Sequence, residues 1–383
     1  MKKSLVALAF GTLGLGMAEF VMMGILPDVA SDLHISIARA GNLISAYAFG
    51  VCVGAPGLVL ARKLPLKHIL LGLVGLIMLG NLCAALAPNF GFMLAARFVS
   101  GLPHGAYFGV ASIVAEKLAD RGRASQAVSI MVAGMTVANL FGVPLGTFLS
   151  AALSWRVTFL LVGCWGIVIL YFIGRWVPRV EGLPDTGLRG QFRFLRSPAP
   201  WMLFFATMLG NGGVFCWYSY ITPLLTNVSG FAAQSIAGLM ALAGVGMVLG
   251  NLAGGRLSDR LTPGRVAAGS QGIICLALVL IFFFAGIPWL SVLLMCICTF
   301  CLFALSSPQQ LLLIRHAKGG EMLGAASVQV AFNLGNAIGA YCGGLPIAAG
   351  LGVRCSALVG APFALAGFVL LTLFFRRYES AGR

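Results

Sequence analysis

Three residues in this chain set an ionisable group inside long apolar stretches: Glu19, Arg97 and His104. Glu19 lies in "LGMAEFVMMGILPD" (15–28), with fifteen uncharged residues back to Lys3 and eight forward to Asp28. Arg97 and His104 lie in "RFVSGLPHG" (97–105), seven residues apart, so on a helix they share a face with Gly101. A carboxylate, a guanidinium and an imidazole in such surroundings can exchange a proton. A nearby cation favours the ionised carboxylate, desolvation favours the neutral acid, and an imidazole titrates near neutral pH. No nucleophile–base pair, metal cluster or nucleotide-binding Gly-rich loop is legible, so no enzyme, no metal and no cofactor is expected, and the missing Walker motif excludes ATP as a direct drive within this chain.

The elements that hold these groups follow from composition. Of the 383 residues, 60% are hydrophobic and 9% charged, and the mean hydropathy is +0.98, against about 25% charged residues in soluble chains. A bilayer core of roughly 30 Å takes about 20 apolar residues per helix. Charges cluster at about that interval, which predicts an all-α integral membrane protein with twelve spans, at about 4–27, 39–61, 66–87, 91–115, 124–152, 157–178, 200–226, 232–254, 265–286, 288–314, 322–350 and 352–375.

The net charge of +15 would suggest nucleic acid in a soluble protein. Here its distribution says more: with both termini inside, 21 of the 25 Lys and Arg fall at cytoplasmic ends and three (Arg39, Arg156, Arg354) outside. That asymmetry is the positive-inside rule. It implies a multi-pass protein of a bacterial-type inner membrane, touching anionic inner-leaflet lipid and not nucleic acid. The start, "MKKSLVALAFGTLGLGMAEF", has the layout of a secretory signal. Its removal would leave eleven spans and move one terminus against the charge count, so it is read as span one. The ten cysteines lie within or at the ends of spans and are read as small hydrophobes, without disulfides.

A polar stretch at 179–198 divides the chain into six-helix bundles at 1–178 and 199–383. An offset of 197 superposes Asn139, Gly142 and Gly146 on Asn336, Gly339 and Gly343, and Leu60, Lys63 and Leu64 on Leu257, Arg260 and Leu261. Internal duplication is a mark of secondary transporters, whose solute sites lie near the midplane between repeats.

An ionisable group at membrane depth costs about 2.5–3.5 kcal/mol on insertion scales and is by default functional. Glu19 lies eight residues from the outer end of span one at Pro27, and Arg97 six from the start of span four. At 1.5 Å per residue these are depths of about 12 and 9 Å from the same surface. Arg97 can therefore compensate Glu19. Its movement would change the proton affinity of the carboxylate, unless the two form a fixed ion pair or contact the solute directly. For His104 two readings stand open, a relay toward the cytoplasm or a neutral ring donating to a carbonyl freed by Pro103. In span five, Gly134, Ala138, Gly142 and Gly146 present a smooth face to another helix, and Pro144 permits a bend. Uncharged groups are read as pointing inward, because lipid would leave them unsatisfied. Tyr47, Asn139, Asn211, Trp217, Tyr218, Ser306, Gln310, Gln329 and Asn333 form the expected solute wall, with Gln309 and Asn336 beside them and Trp217 and Tyr220 able to stack on a ring. Interhelical hydrogen bonding would explain the amides equally. Asp28 and Asp32 are expected in a solvated outer loop, and Arg156 is expected to tether the short loop beside it.

Several motifs resemble the major facilitator superfamily. "GRLSDR" (255–260) is similar to its loop motif through Gly255, Asp259 and Arg260, although "LVLARK" (58–63) in the matching first-half loop departs from it, with Arg62 where the repeat has Asp259. "RFVSGLPHG", with Gly101 and Gly105, resembles the span-four motif that begins with Arg, and "GMTVANLFGVPLG" (134–146) resembles the span-five antiporter motif of exporters. Over nearly the whole chain, and most in "GMAEFVMMGILPDVA", residues 99–106 and "AKGGEMLGAA", it is similar to the arabinose efflux permease branch of the drug:proton antiporters. The resemblance implies a twelve-helix fold and a proton-driven exporter of a sugar-related solute or of drugs, working by alternating access without a cofactor. A cavity poor in charge implies a neutral or cationic solute, and a monomer is expected. A facilitator and a non-transporting membrane sensor on the same scaffold remain alternatives.

Overall fold

Apolar segments of 17 to 31 residues with few charges have one way to satisfy their backbone in lipid, as helices. The computed structural model describes residues 2–35, 37–120, 123–182 and 187–379, and among these all regular structure is helical. Arg121 and Arg383, counted above as cytoplasmic, and residues 183–186 of the expected linker lie outside the described residues.

The helices are α1 (Lys2–Asp32), α2 (Ile37–Gly57), α3 (Leu66–Ala85), α4 (Phe90–Lys117), α5 (Ala124–Val137), α6 (Val143–Ala152), α7 (Trp155–Trp176), α8 (Gly187–Gln191), α9 (Pro198–Tyr218), α10 (Ile221–Asn227), α11 (Ile236–Arg260), α12 (Pro263–Phe284), α13 (Pro288–Ala304), α14 (Ser306–His316), α15 (Glu321–Ala348) and α16 (Cys355–Phe374). Taking α5 with α6, α9 with α10 and α13 with α14 as single rods, and leaving out the one-turn α8, they correspond to the twelve spans. Among the described residues, ten rods are long and apolar enough to cross a membrane, by length and composition. The other two, α2 and α15, are long enough but carry Arg39 and Asn42, or Gln329, Asn333 and Asn336, along their length.

Prolines explain where rods change course. Pro144 has no N–H and its ring crowds the carbonyl four residues back. The chain answers with a π turn over Ala138–Gly142, in which the Val143 N–H reaches the Ala138 carbonyl. Pro223 and Pro308 follow the breaks at Ser219–Tyr220 and Leu305. Pro103, Pro346 and Pro362 are carried inside continuous helices.

Contacts divide the chain into two units, 1–196 with 317–330, and 197–316 with 331–383. Residues 317–330, which open α15 and include Gln329, thus cluster with the first unit. In that unit Val21, Met22, Ile25 and Val29 of α1 pack with Leu43, Met93, Trp155 and Phe159.

The outer end of α1 departs from expectation. The helix runs on to Asp32, so Asp28 and Asp32 are not loop residues. Ser150 Oγ donates to Asp28, while Trp155 Nε1 and Arg156 each donate to Asp32 at 3.1 Å. Arg156 also donates to the Ala87 carbonyl at 3.2 Å, so it ties α1 and the α3–α4 corner to α7. Pairing the carboxylates with donors on α6 and α7 allows the helix to continue a turn beyond Pro27.

The single repeat offset holds only in part. Gly142 and Gly146 pack on α1, and Gly339 and Gly343 on α9, in keeping with 197. In the second helices, Gly50 and Gly54 lie over the Phe98 and Leu102 carbonyls, and Gly250 and Gly254 over those of Phe300 and Ala304. By these contacts α2 and α11 correspond at an offset of 200, and α4 with α13 at 202.

Candidate functional site

Two seams of small residues position the charged cluster of the first unit. In the first, α5 and α6 press their glycines onto α1. A Cβ on Gly134 would overlap the Ala9 carbonyl and Thr12, one on Gly142 would come within 2.7 Å of Met17, and one on Gly146 would overlap Val21. Thr12 Oγ1 donates to the Met131 carbonyl at 2.6 Å and fixes the height of α1. The second seam joins α2 to α4, where Gly101 leaves room for the Tyr47 carbonyl. Gly105 is less constrained, with Val51 at 3.3 Å from a Cβ placed there.

These seams bring Glu19, Tyr47, Arg97 and His104 together. All are buried, Glu19 at 4% exposure and Arg97 and His104 at 0%. Arg97 does not form the direct ion pair anticipated for Glu19. Its NH1 donates to the Ala18 carbonyl at 2.6 Å and its Nε to the Leu43 carbonyl at 3.4 Å. Its guanidinium carbon sits 4.5 Å from the centre of the Tyr47 ring and 5.7 Å from that of Phe159. Arg97 is thus a fixed cation bonded to the residue before Glu19. Two hydrogen bonds and two ring-face contacts in a buried site anchor it more firmly than a flexible surface pair.

The cationisable group nearest the carboxylate is His104, with Nε2 3.7 Å from Glu19 Oε2. Neither atom has a hydrogen-bond partner within the protein. His104 Nδ1 lies 2.8 Å from the Tyr47 hydroxyl, and its ring stacks on Phe108 at 5.2 Å with 12° between planes. The ring therefore faces Tyr47 on one side and Glu19 on the other, and does not use a carbonyl near Pro103. Tyr47, expected in the solute wall, lies against both His104 and Arg97 of this cluster. Phe108, one turn beyond His104, was open to the same spacing argument. Tyr107, three residues beyond His104 on α4, donates its hydroxyl to the Leu8 carbonyl at 3.2 Å, whereas Phe159 lies on α7, a span that no spacing connects to the cluster.

Of the neutral residues, Asn139 in the π turn donates to the Met135 carbonyl at 3.0 Å, bonding its own helix. Gln329 lies in the first unit by contact. In the second unit, α15 meets α9 through Gly335, Gly339 and Gly343, above the Met208, Gly212 and Cys216 carbonyls. Asn211 and Asn336, each next to a seam glycine, have buried Oδ1 atoms without a partner in the protein, as do Trp217 Nε1 and Gln309 Nε2. Tyr218 is buried, Ser306 is half-buried, and Gln310 and Asn333 are buried with partners. Ser307, beside Ser306, donates to Asn251 at 3.0 Å. The Tyr220 hydroxyl donates to the Ala340 carbonyl at 2.7 Å. Gly255 is buried, while Asp259 and Arg260 are exposed at the end of α11.

Residues 8–328 match the family model described as Major Facilitator Superfamily. Over its full length the chain is 49% identical to "Putative transporter AraJ" of Escherichia coli K12, covering 98% of that protein. It is 34% identical to "Inner membrane transport protein YdhP" of Escherichia coli K12, over 97% of this chain and 95% of that one. The fold is similar to that of the Escherichia coli fucose:proton symporter FucP, with a TM-score of 0.74 at 18% identity, covering 97% and 98% of the two chains.

Proposed function

The chain belongs to the Major Facilitator Superfamily and is a membrane transporter, and we propose that it is a proton-coupled antiporter exporting a small neutral or cationic organic solute by alternating access. The observation that carries the reading is the buried line Tyr47, His104, Glu19, with Arg97 committed to backbone beside it. A carboxylate in this setting is ionised when cations compensate it and neutral when they do not. Arg97 supplies a constant positive charge. His104 supplies a variable one, because a decrease of under an ångström from 3.7 Å turns its approach to Glu19 into a hydrogen bond. When Tyr47 donates to Nδ1, Nε2 carries the proton and faces Glu19; a second proton on the ring makes it a cation that stabilises the carboxylate. Small displacements of α1 on the smooth face of α5 and α6 would alter that separation and so release or take up a proton.

The unpartnered neutral atoms of Asn211, Trp217, Gln309 and Asn336 support a solute rich in hydrogen-bonding groups and without negative charge. Each costs about 1–3 kcal/mol while unpaired, and a hydroxyl-bearing or amine-bearing solute would satisfy it. A sugar related to arabinose is the first candidate and a broad drug range the second. The export direction rests on the span-five motif. Cytoplasmic termini rest on the asymmetry of Lys and Arg.

The test is proton release from detergent-purified protein near pH 7 on addition of arabinose, short arabinosides, nucleosides or a cationic drug, beside Glu19→Gln. Release in the wild type that vanishes in the variant makes Glu19 the coupling site and identifies the solute class. Binding without release, unchanged in the variant, would overturn coupling and leave a facilitator or a sensor.

A further inference from the structure

The first unit holds a concavity whose lining includes no residue of the proton line. It is a crevice of about 470 Å³ walled by α2 and α3 and floored by Leu102 and Ala106 of α4, within the roughly 300–1,000 Å³ of sites that take small molecules. Its lining is aliphatic or glycine apart from His68. Val53 and Leu64 are 44% and 51% exposed on its rim. A Cβ at Gly57 or Gly72 would meet no atom within 4 Å, so both glycines border open space. From His68 the α3 wall runs eight residues to Leu76, about 12 Å at 1.5 Å per residue, against about 15 Å for half of a bilayer core.

The open end has a distinct charge. Arg62, Lys63 and His68 cluster there, at the end that the positive-inside count places in the cytoplasmic leaflet. Lys67 is committed to the Gly174 and Val177 carbonyls at 2.8 and 2.7 Å, which ties α3 to α7. Lys63 and His68 are exposed. Among the described residues the acidic Glu181 comes close to this end, since Gly182 packs on the Leu64 carbonyl. An apolar slot one leaflet deep, with cations at its mouth, matches an amphiphile with a chain and an anionic head. Basic pockets between spans on this side are suited to acidic lipid headgroups.

We propose that this crevice is a binding site for an anionic phospholipid, one acyl chain lying between α2 and α3 and the phosphate at Lys63 and His68. The site is separate from the solute route, whose groups are polar and neutral, and it stands whether or not the protein couples to protons.

The experiment is native mass spectrometry of the full chain released from vesicles of phosphatidylglycerol and phosphatidylcholine with identical chains. Wild type should retain phosphatidylglycerol several-fold over phosphatidylcholine. Lys63→Glu should abolish that preference. Gly72→Leu and, independently, Gly57→Leu should reduce retention of both lipids by filling the slot, while Gly75→Leu, also bordered by open space but outside the lining, should retain them. Equal retention of the two lipids by wild type would overturn the headgroup assignment. Unchanged retention in both slot-filling variants would overturn the crevice and leave only diffuse surface charge.

Discussion

Tyr47→Phe removes one oxygen and leaves the rest of the cluster in place. The ring that faces the Arg97 guanidinium at 4.5 Å is kept, and so is its packing with Ala18, Val51 and Val162. What is lost is the 2.8 Å hydrogen bond to His104 Nδ1, in a position with no exposure to water. An unpaired buried polar atom costs about 1–3 kcal/mol, and 1.4 kcal/mol is about tenfold in an equilibrium. If the bond holds the imidazole toward Glu19, the penalty falls on the state in which His104 and Glu19 exchange a proton. In proteoliposomes with a transported solute, flux driven by an imposed pH gradient should drop about tenfold at the middle of that range. Exchange of labelled for unlabelled solute without a gradient, which needs no net proton movement, should change little. In a His104→Gln background, Tyr47→Phe should add nothing further, because groups acting through one bond are not additive. Equal loss of driven flux and exchange would refute the reasoning, as would full additivity of the two substitutions. Either would make Tyr47 a packing residue.

Gly134→Ala forces a methyl into the Ala9 carbonyl and Thr12, an overpacking cost of about 1–3 kcal/mol; chemical denaturation in detergent should show it well below wild type, with Gly72→Ala close to wild type. At the outer end of α1, Arg156→Leu should destabilise more than Asp32→Asn, because Arg156 also serves the Ala87 carbonyl. The asparagine would keep an oxygen to accept from Trp155 Nε1, so that Asp32→Asn loses only the half-exposed charge pair, which contributes up to about 1 kcal/mol and weakens with salt. The same denaturation series at low and high salt checks both orderings. Glu379 accepts from the Gly264 N–H with both oxygens, at 3.2 and 3.0 Å, in the first turn of α12, where a carboxylate gains about 0.3–1 kcal/mol from the helix end. Glu379→Gln should speed hydrogen exchange over 375–379 and leave the middle of α12 unchanged.

The twelve rods were legible because charge spacing marks span ends, and lipid leaves the backbone no alternative to a helix. Their ends were less so. Asp28 and Asp32 looked like loop residues because their partners, Ser150, Trp155 and Arg156, lie more than a hundred residues away. In the candidate site, Glu19, Arg97 and His104 stood out through their cost in lipid and through the two-turn spacing of the last two. Which of the latter faces Glu19 was not legible. Arg97 and His104 share one face of α4 and lie two turns, about 10 Å, apart along it, and counting residues from the span ends put Glu19 level with Arg97, because such a count leaves out the relative height of α1 and α4 that helix packing sets. The role of Tyr47 depends on the α2–α4 approach at Gly101, and one sequence without that distance cannot separate it from the other interior aromatics.

Comparison of the two units bears on where proton handling resides. Gly142 and Gly146 in one, and Gly339 and Gly343 in the other, meet Met17 and Val21, and Gly212 and Cys216, so the first rods correspond at an offset of 195 by packing. With offsets of 200 and 202 for the second and fourth, the residues standing for Glu19, Tyr47, Arg97 and His104 are Val214, Met247, Thr299 and Ser306. At the sequence offset of 197 the counterpart of Glu19 would be Cys216, also without an acid. Helix–helix contacts recur across the repeat while every member of the ionisable line is replaced. Helix contacts alone therefore do not require the line, since the second unit packs its rods without one. A group that packing does not require, and that costs several kcal/mol at depth, is held for another purpose. If that purpose is coupling, Glu19→Gln should abolish proton release without lowering the denaturation midpoint. A midpoint that falls as far as that of Gly134→Ala would return Glu19 to a structural role.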